Sequence, residues 1–499
     1  MLVFFLPVFM LFLFIGLPVF FALLVAPGIL LWLNGQERDI ALLYRNVYNG
    51  MDSFPLMALP FFMLAGELMN RGGITIRLVE FSQAMMGHFR GGLAHVNILS
   101  SMLFAGMSGS AVADVSALGS TLIPAMVKNG YTRSFAAAIT AASSVIGPII
   151  PPSGIMIIYA YVMGESVAAL FLAGIVPGVL VGLGLMVVVR LMADRYDLPK
   201  AERIVTRNQT ISPLEGRISF VLLRINVAGL LIGLFFGVTA LLRVTLNIEA
   251  NVNGWILFLA FLPVAHFMMV GLRSKMSPDF RVICKKAVAP MQTPIIILGG
   301  ILVGVFTPTE ASAIAVAYAL LISFFVLKTL KLSDLPGILT KSALGSSTVL
   351  LLVGAAVAFK TVVSLSHAPE QMAELILGLS ENPLILLFLI NMFLFVVGMF
   401  LDAGPAIIIL GPILAPIFID LGVHPIHFAI IMSVNLTVGL ATPPMGLVLF
   451  VASSVSGERI EAISKAILPF LAVEVVVIFL ITYVPAISMT IPRLTGFVN

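Results

Sequence analysis

Charge is the scarcest thing in this sequence: only 10% of its 499 residues are Asp, Glu, Lys or Arg. A soluble domain carries about 25%, because its surface must face water. With 60% hydrophobic residues and a mean hydropathy of +1.14, this chain takes lipid as its solvent. Lipid offers backbone N–H and C=O groups no partner, so a spanning chain must be helical or a closed barrel. Period-2 alternation is missing too, while apolar stretches run to about 20 residues or more, which excludes a barrel and predicts an all-α integral membrane protein. The single cysteine, Cys284, excludes intrachain disulfides and Cys-based metal sites and reads as a small buried or interfacial residue. The start, Met1-Leu2-Val3-Phe4-Phe5, lacks the basic n-region of a signal peptide and reads as a mature membrane segment. The net charge of +4 says little, since in a membrane protein the position of each charge matters more than the sum, and no nucleic-acid partner is implied.

Catalytic signatures are absent as well. There is no Gly-x-x-x-x-Gly-Lys phosphate loop and no His-Glu-x-x-His metal pair. An aspartyl dyad needs two carboxyls sharing one proton at close range. The embedded aspartates here lie in separate halves of the chain, each beside a helix break. The sequence does not read as an enzyme.

What is present is a series of apolar stretches at roughly 2–34, 53–70, 93–127, 132–163, 166–192, 219–242, 254–272, 290–327, 343–366, 383–420, 425–455 and 464–488. Several are too long for one span and are interrupted in the middle. The interruptions are Gly106-Met107-Ser108-Gly109-Ser110, Gly147-Pro148-Ile149-Ile150-Pro151-Pro152, Asp402-Ala403-Gly404-Pro405 and Ala441-Thr442-Pro443-Pro444. They predict two re-entrant hairpins and two broken helices, which lipid tolerates only where protein or a cavity covers the freed backbone.

Sliding the chain by 292 residues aligns 106–154 with 398–446 without a gap. Gly106/Gly398, Met107/Met399, Leu118/Leu410, Gly119/Gly411, Pro124/Pro416, Gly130/Gly422, Gly147/Gly439, Pro151/Pro443, Pro152/Pro444 and Gly154/Gly446 are identical pairs. Shared Gly/Pro spacing over 49 positions marks an internal duplication. The basic stretches Arg190–Arg224 and Arg273–Lys286 mark the cytoplasmic side, and Arg90, Lys128 and Arg133 put both ends of the first hairpin there. The second hairpin is flanked instead by Glu370, Glu374, Glu381 and Asp420, so it enters from the opposite face. The copies therefore form an inverted-topology repeat, and repeat symmetry favours a periplasmic N-terminus. In transporters such repeats place the substrate site near the midplane, between the broken helices.

Five segments follow. Residues 1–92 supply first-repeat scaffold helices and an interfacial arm helix at 74–91. Residues 93–192 hold the first hairpin, broken helix and following helix. Residues 193–289 carry basic segments and an extra helical pair at 219–272. Residues 290–382 supply second-repeat scaffold helices, and 383–499 the second hairpin, broken helix and last helix.

Ionisable groups inside apolar segments are costly and mark function by default. Asp114 and Asp402 stand out, each close to a hairpin turn. Ser108, Ser110 and Ser116 lie around them, Ser143 and Ser144 precede the first break, and Asn435, Thr437 and Thr442 flank the second. Carboxylate, hydroxyl, amide and freed carbonyl oxygens are the ligands of hard cations. The positive ends of the half-helices after each break suit an anionic substrate. Simpler roles stand beside these: a membrane Ser or Thr often bonds its own backbone, and Asp114 or Asp402 also suits a helix cap. Phe306-Thr307-Pro308-Thr309-Glu310-Ala311-Ser312 reads as a capped helix break or as part of the transport path, and Glu67 and Lys360 as snorkelling or scaffold residues.

At these motifs the sequence resembles the large membrane subunit of the tripartite ATP-independent periplasmic (TRAP) transporters. The passages are Gly106–Ser110 through Asp114, Gly147–Ser153, Phe306–Ala311, and Asn435 through Pro444, which cover nearly the whole chain outside the 219–272 pair. The resemblance implies an elevator-type transporter in the bacterial inner membrane, with a mobile transport domain on a static scaffold. It implies sodium as the coupling ion and no other cofactor. It also implies two partners, a small four-helix membrane subunit and a periplasmic binding protein that delivers a small organic anion such as a C4-dicarboxylate or sialic acid. Carried over by position, one Na⁺ site would use Ser108 and carbonyls around Gly147. The other would use Asp402 with Thr437, Thr442 and carbonyls around Gly439. Ser110, Asp114, Ser143, Ser144, Pro151, Pro152, Asn435, Pro443 and Pro444 would face substrate or support these sites. A stand-alone citrate, dicarboxylate or oxyanion carrier of similar architecture is the alternative, and the 219–272 pair departs from the usual family pattern.

Overall fold

In a computed structural model, the structure describes residues 8–9, 11–12, 15–33, 35, 37–195, 198–199, 211–246, 254–365, 374, 376–378, 380 and 382–498. Glu370 and Glu381, used above for topology, lie outside the described residues, as does much of the basic segment around 196–210. Among the described residues there are helices and no strands, and ten helices are long and apolar enough to cross a membrane. The all-α membrane architecture is thus the one expected.

The helices run in chain order as α1 (Val19–Leu33), α2 (Glu37–Met51), α3 (Ala58–Arg71), α4 (Ile74–Met86), α5 (Gly92–Ser108), α6 (Ala111–Lys128), α7 (Arg133–Ser144), α8 (Gly154–Met163), α9 (Val167–Arg195) and α10 (Pro213–Leu246). They continue as α11 (Gly254–Lys275), α12 (Pro278–Leu302), α13 (Pro308–Leu321), α14 (Leu335–Leu365), α15 (Pro383–Phe400), α16 (Ala403–Asp420), α17 (Pro425–Gly439), α18 (Leu447–Ser456), α19 (Ile460–Tyr483) and α20 (Ala486–Leu494).

Helix boundaries follow cap chemistry. Side-chain oxygens at N-caps satisfy backbone donors that have no intrahelical acceptor. Ser110 caps α6 at Ala113, Thr132 caps α7 at Phe135, Ser153 caps α8 at Met156, and Asp402 caps α16 at Ala403. The apolar stretch 290–327 is not one element. A capping box between Thr307 and Glu310, with Pro308 at the first helical position, starts α13 afresh after α12 ends at Leu302. The cluster around Glu310 is therefore a capped helix start, with Thr309 Oγ1 donating to Phe54 O across 3.2 Å.

The duplication is visible in the element bounds. The second hairpin arms, α6 and α16, are each 18 residues long and begin and end 292 positions apart. The repeats also interlock reciprocally. Arm α6 packs on half-helix α18 of the other repeat, while α16 packs on α8. Likewise α7 packs on α19 and α17 on α9, with α9 and α19 against each other. This is the inverted repeat with two hairpins and two broken helices read from the sequence. A second group, α2, α3, α13 and α14, packs together and touches the first along α14–α16, α3–α5 and α3–α8. The extra pair, α10 and α11, extends beyond 219–272 because polar Glu215 and Arg217 still lie in helix. Arg77 of α4 donates to Glu215, and Asn226 donates to Gln292 Oε1 of α12 at 2.9 Å, which fixes the pair to the body.

Candidate functional site

Both hairpin tips open onto one cavity of about 450 Å³. The first tip contributes Ser108, Gly109, Ser110, Ala111 and Val112, and the second Asp402, Ala403, Gly404 and Pro405. The first break adds Pro148, Pro152 and Gly154, and the second adds Leu440. The opposite wall comes from the start of α1, from Leu59, Phe62 and Met63 of α3, and from Thr348, Val349 and Leu352 of α14. A cavity of this size holds a small organic molecule.

Its chemistry is unusual. The polar side chains in the lining are Ser108, Ser110, Thr348 and Asp402, and no Lys, Arg or His is among the lining residues. Three helices begin there, α6 at Ala111, α8 at Gly154 and α16 at Ala403. Each helix start presents free N–H groups and roughly half a positive charge. Among the described lining residues, the groups able to attract an anion are therefore backbone N–H groups rather than cationic side chains, and Asp402 is the one charged side chain beside them.

Beside the cavity lies Asp114, only 1% exposed. Its Oδ1 accepts a hydrogen bond from Ser108 Oγ, while Oδ2 has no hydrogen-bond partner among the described residues. That free oxygen lies against the first break: a Cβ added to Gly147 would sit 2.4 Å from it. Glycine at 147 is what lets the backbone of the break approach the carboxyl. Ser108 and Asp114 of the first hairpin thus meet Gly147 of the break, and among the described residues the acidic group has no basic partner. The break itself is held by Ser153 Oγ, which donates to Pro148 O at 2.5 Å. Pro151–Pro152 and Pro443–Pro444 are both cis.

Asp402 does two things at once. Its Oδ1 accepts the Ala403 N–H at 2.8 Å as a cap, and its side chain faces the cavity. In the repeat it occupies the place of Ser110, the cap of α6, so the two tips carry equivalent caps of which only one is charged. Around the second break, the Thr437 and Thr442 hydroxyls donate to Ser433 O (2.8 Å) and Val438 O (2.9 Å), leaving their oxygen lone pairs available. Gly439 packs on Gly398 of α15, backbone to backbone.

Other residues singled out lie away from the cavity lining. Asn435 donates to Asn391 Oδ1 at 2.6 Å, which also accepts from Thr482 Oγ1, a buried link joining α15, α17 and α19. At the equivalent place in the first repeat, Ser143 accepts from Ser101 Oγ (2.9 Å) and donates to Asn97 Oδ1 (3.2 Å). Ser144 bonds Ala141 O of its own helix. Pro151 is buried behind the lining, and Pro443 and Pro444 lie outside it. Glu67 accepts from Lys341 Nζ at 2.8 Å within the outer group, and Lys360 Nζ donates to Val162 O at 2.5 Å, linking α14 to the last turn of α8. Sequence reasoning missed Thr348, the one polar side chain among the described residues of the outer wall, because nothing distinguishes it from the other hydroxyls of α14. It also passed over Glu474, an acidic residue in mid-span whose signal was plain.

Hairpin tips meeting over a shared, largely apolar cavity inside an inverted repeat define a membrane transporter core. Comparison with known proteins narrows the class. The family model described as "Tripartite ATP-independent periplasmic transporter, DctM component" matches residues 6–487. The chain is 34% identical over 468 residues to the C4-dicarboxylate TRAP transporter large permease protein DctM of Pseudomonas aeruginosa, covering 94% of this chain and 92% of that one. It is 34% identical over 486 residues to the sialic acid TRAP transporter large permease protein SiaM of Vibrio cholerae, covering 97% and 96%. In fold it is similar to the Alcanivorax borkumensis YdaH transporter, with a TM-score of 0.54, 14% identity, and coverage of 92% of this chain and 89% of that one. The chain belongs to the TRAP transporter DctM family, as a large permease component and not an enzyme.

Proposed function

We propose that this permease imports a small organic anion, a carboxylate, coupled to the inward flow of Na⁺ across the bacterial cytoplasmic membrane. A periplasmic binding protein delivers the substrate, and a small membrane subunit completes the assembly. The observation that carries this reading is the cavity itself: three helix starts and no cationic side chain. Backbone N–H groups at helix N-termini bind anions without a cationic side chain. The relatives named for C4-dicarboxylates and for sialic acid both take carboxylates.

Sodium supplies the missing countercharge. A fully desolvated carboxylate without a basic partner costs several kcal/mol. Asp114 with Ser108 Oγ and carbonyls near Gly147 offers a hard cation one oxygen-rich pocket, and Asp402 with the oxygens of Thr437, Thr442 and the Gly439 region offers a second. Ion and substrate then stabilise each other across the shared cavity, since each neutralises charge that the other would face alone.

The hairpins, breaks, α9 and α19 move as one body in this reading, sliding as an elevator along the α2, α3, α13 and α14 scaffold. The apolar scaffold wall suits sliding, and the Lys360–Val162 contact is one that must break and re-form. Liposomes containing this subunit and its small partner are expected to take up labelled carboxylate only when the binding protein and an inward Na⁺ gradient are both present. Uptake in sodium-free buffer under an imposed proton gradient contradicts the assignment of the coupling ion.

A further inference from the structure

Glu474 lies near the middle of α19, inside a candidate membrane span, and is 0% exposed. Neither carboxyl oxygen has a hydrogen-bond partner among the described residues. It is not among the residues that line the cavity, and it plays no part in the sites above. Its helix is central: α19 packs against α7, α9, α15, α17 and α18, so it joins the two repeats. Its counterpart α9 has no charged residue from Val167 to Val189, so the carboxyl is specific to one half of the duplication.

We propose that Glu474 is a proton-binding site of the transport core, and that turnover requires the proton to be on it. A bare carboxylate here would be an uncompensated charge in low dielectric, which is strongly disfavoured. A neutral carboxylic acid avoids most of that penalty. Among the described residues, no packed element gives it a cationic partner. Arg133, at the start of α7, lies near Gly457, about 20 Å along the helix axis from Glu474. Arg190 of α9 is exposed and lies about 9 Å beyond Gly184, the residue that meets Val473 and Val477. Asp194, further along α9, pairs with Arg90. His427 of α17 is engaged with Ser488 Oγ and Thr482 O, and α15 and α18 carry no titratable side chain. On α19 itself, Glu461 and Lys465 lie in the first two turns and Tyr483 at the far end.

Sodium is a poor occupant for the same place. A hard cation needs several oxygen ligands. Around Glu474 the helices are continuous, so their carbonyls are used in i→i−4 bonds. The carbonyls freed by Pro177 and Pro469 are those of Ala173 and Lys465, more than two turns away along their helices. A proton needs no such shell. The reaction is simple: the carboxylate takes one proton from water to give the neutral acid, and returns it on deprotonation. The proposal rests on the family assignment and not on sodium, so sodium coupling can fail without touching it.

Infrared spectroscopy of the intact complex in lipid tests it directly. At neutral pH a carboxylic-acid C=O band is expected that shifts when the protein is grown on carboxyl-labelled glutamate, and that disappears in Glu474→Gln. The isotope shift identifies a protonated glutamate even if the variant does not fold. Binding-protein-dependent uptake by the wild type should fall by about tenfold per pH unit once the acid is deprotonated. Glu474→Gln, which mimics the neutral acid, should lose that fall. A missing glutamate band at neutral pH, or an alkaline loss of uptake identical in Glu474→Gln and wild type, overturns the proposal.

Discussion

Asp402→Asn is expected to raise the Na⁺ concentration for half-maximal uptake by about tenfold to a hundredfold, while the protein inserts and folds normally. The two halves of that expectation have separate causes. Asparagine caps helices as well as aspartate does, so the start of α16 keeps its Ala403 bond. What disappears is the charge. Interactions with charged groups are worth about 1.5–3 kcal/mol, and each 1.4 kcal/mol is tenfold in affinity. Ser110, the repeat equivalent, is a neutral cap in the same role, which shows that the fold does not need a charge at this place. A sodium titration of uptake in liposomes reads the result. Unchanged sodium dependence makes Asp402 a cap and nothing more.

Gly439→Ala has the other large effect, and it acts through packing. A Cβ at this position would lie 2.5 Å from Gly398 Cα and 2.6 Å from Gly398 C, with Phe395 O at 3.0 Å. All three are backbone atoms, so no side chain can turn aside and α15 must move off α17. Overpacking a filled interior costs about 1–3 kcal/mol, occasionally more, and a backbone-to-backbone clash belongs at the upper end. The displaced region includes Thr437, Thr442 and the second break, so uptake should fall by more than about tenfold along with the melting temperature. Gly411→Ala is the control: its Cβ would meet only Met163 Sδ at 3.7 Å, an ordinary contact. A Gly439→Ala protein that melts and transports like Gly411→Ala contradicts the close crossing of α15 and α17.

Much of this architecture was legible because Gly and Pro punctuate it. The 292-residue repeat predicted the hairpins, and α6 and α16 obey it to the residue. Hydropathy failed where cap chemistry was stronger. It ran 290–327 together although Thr307 and Glu310 begin a new helix, and it cut the extra pair short at 219 although Glu215 and Arg217 are helical. For the polar residues, sequence gives the inventory and not the direction. Ser143 and Asn435 look like pocket ligands on paper, yet their positions on α7 and α17 turn them toward Asn97, Ser101 and Asn391, where they join helices. Asp114 and Ser108, neighbours in one hairpin, meet Gly147 because that hairpin folds against the break, and no local pattern encodes that contact.

The most direct measurement is of the shared cavity. In a Cys284→Ser background, Ser110→Cys and Gly404→Cys place single thiols on the two tips, and a Cβ at Gly404 meets only Ile158 Cδ1 at 3.7 Å. Labelling rates are compared without sodium, with sodium, and with sodium plus the carboxylate selected by the liposome assay. Sodium and carboxylate together should slow both thiols in parallel. Protection of one tip with the other labelled at its original rate, or of neither, contradicts a single site built by both repeats.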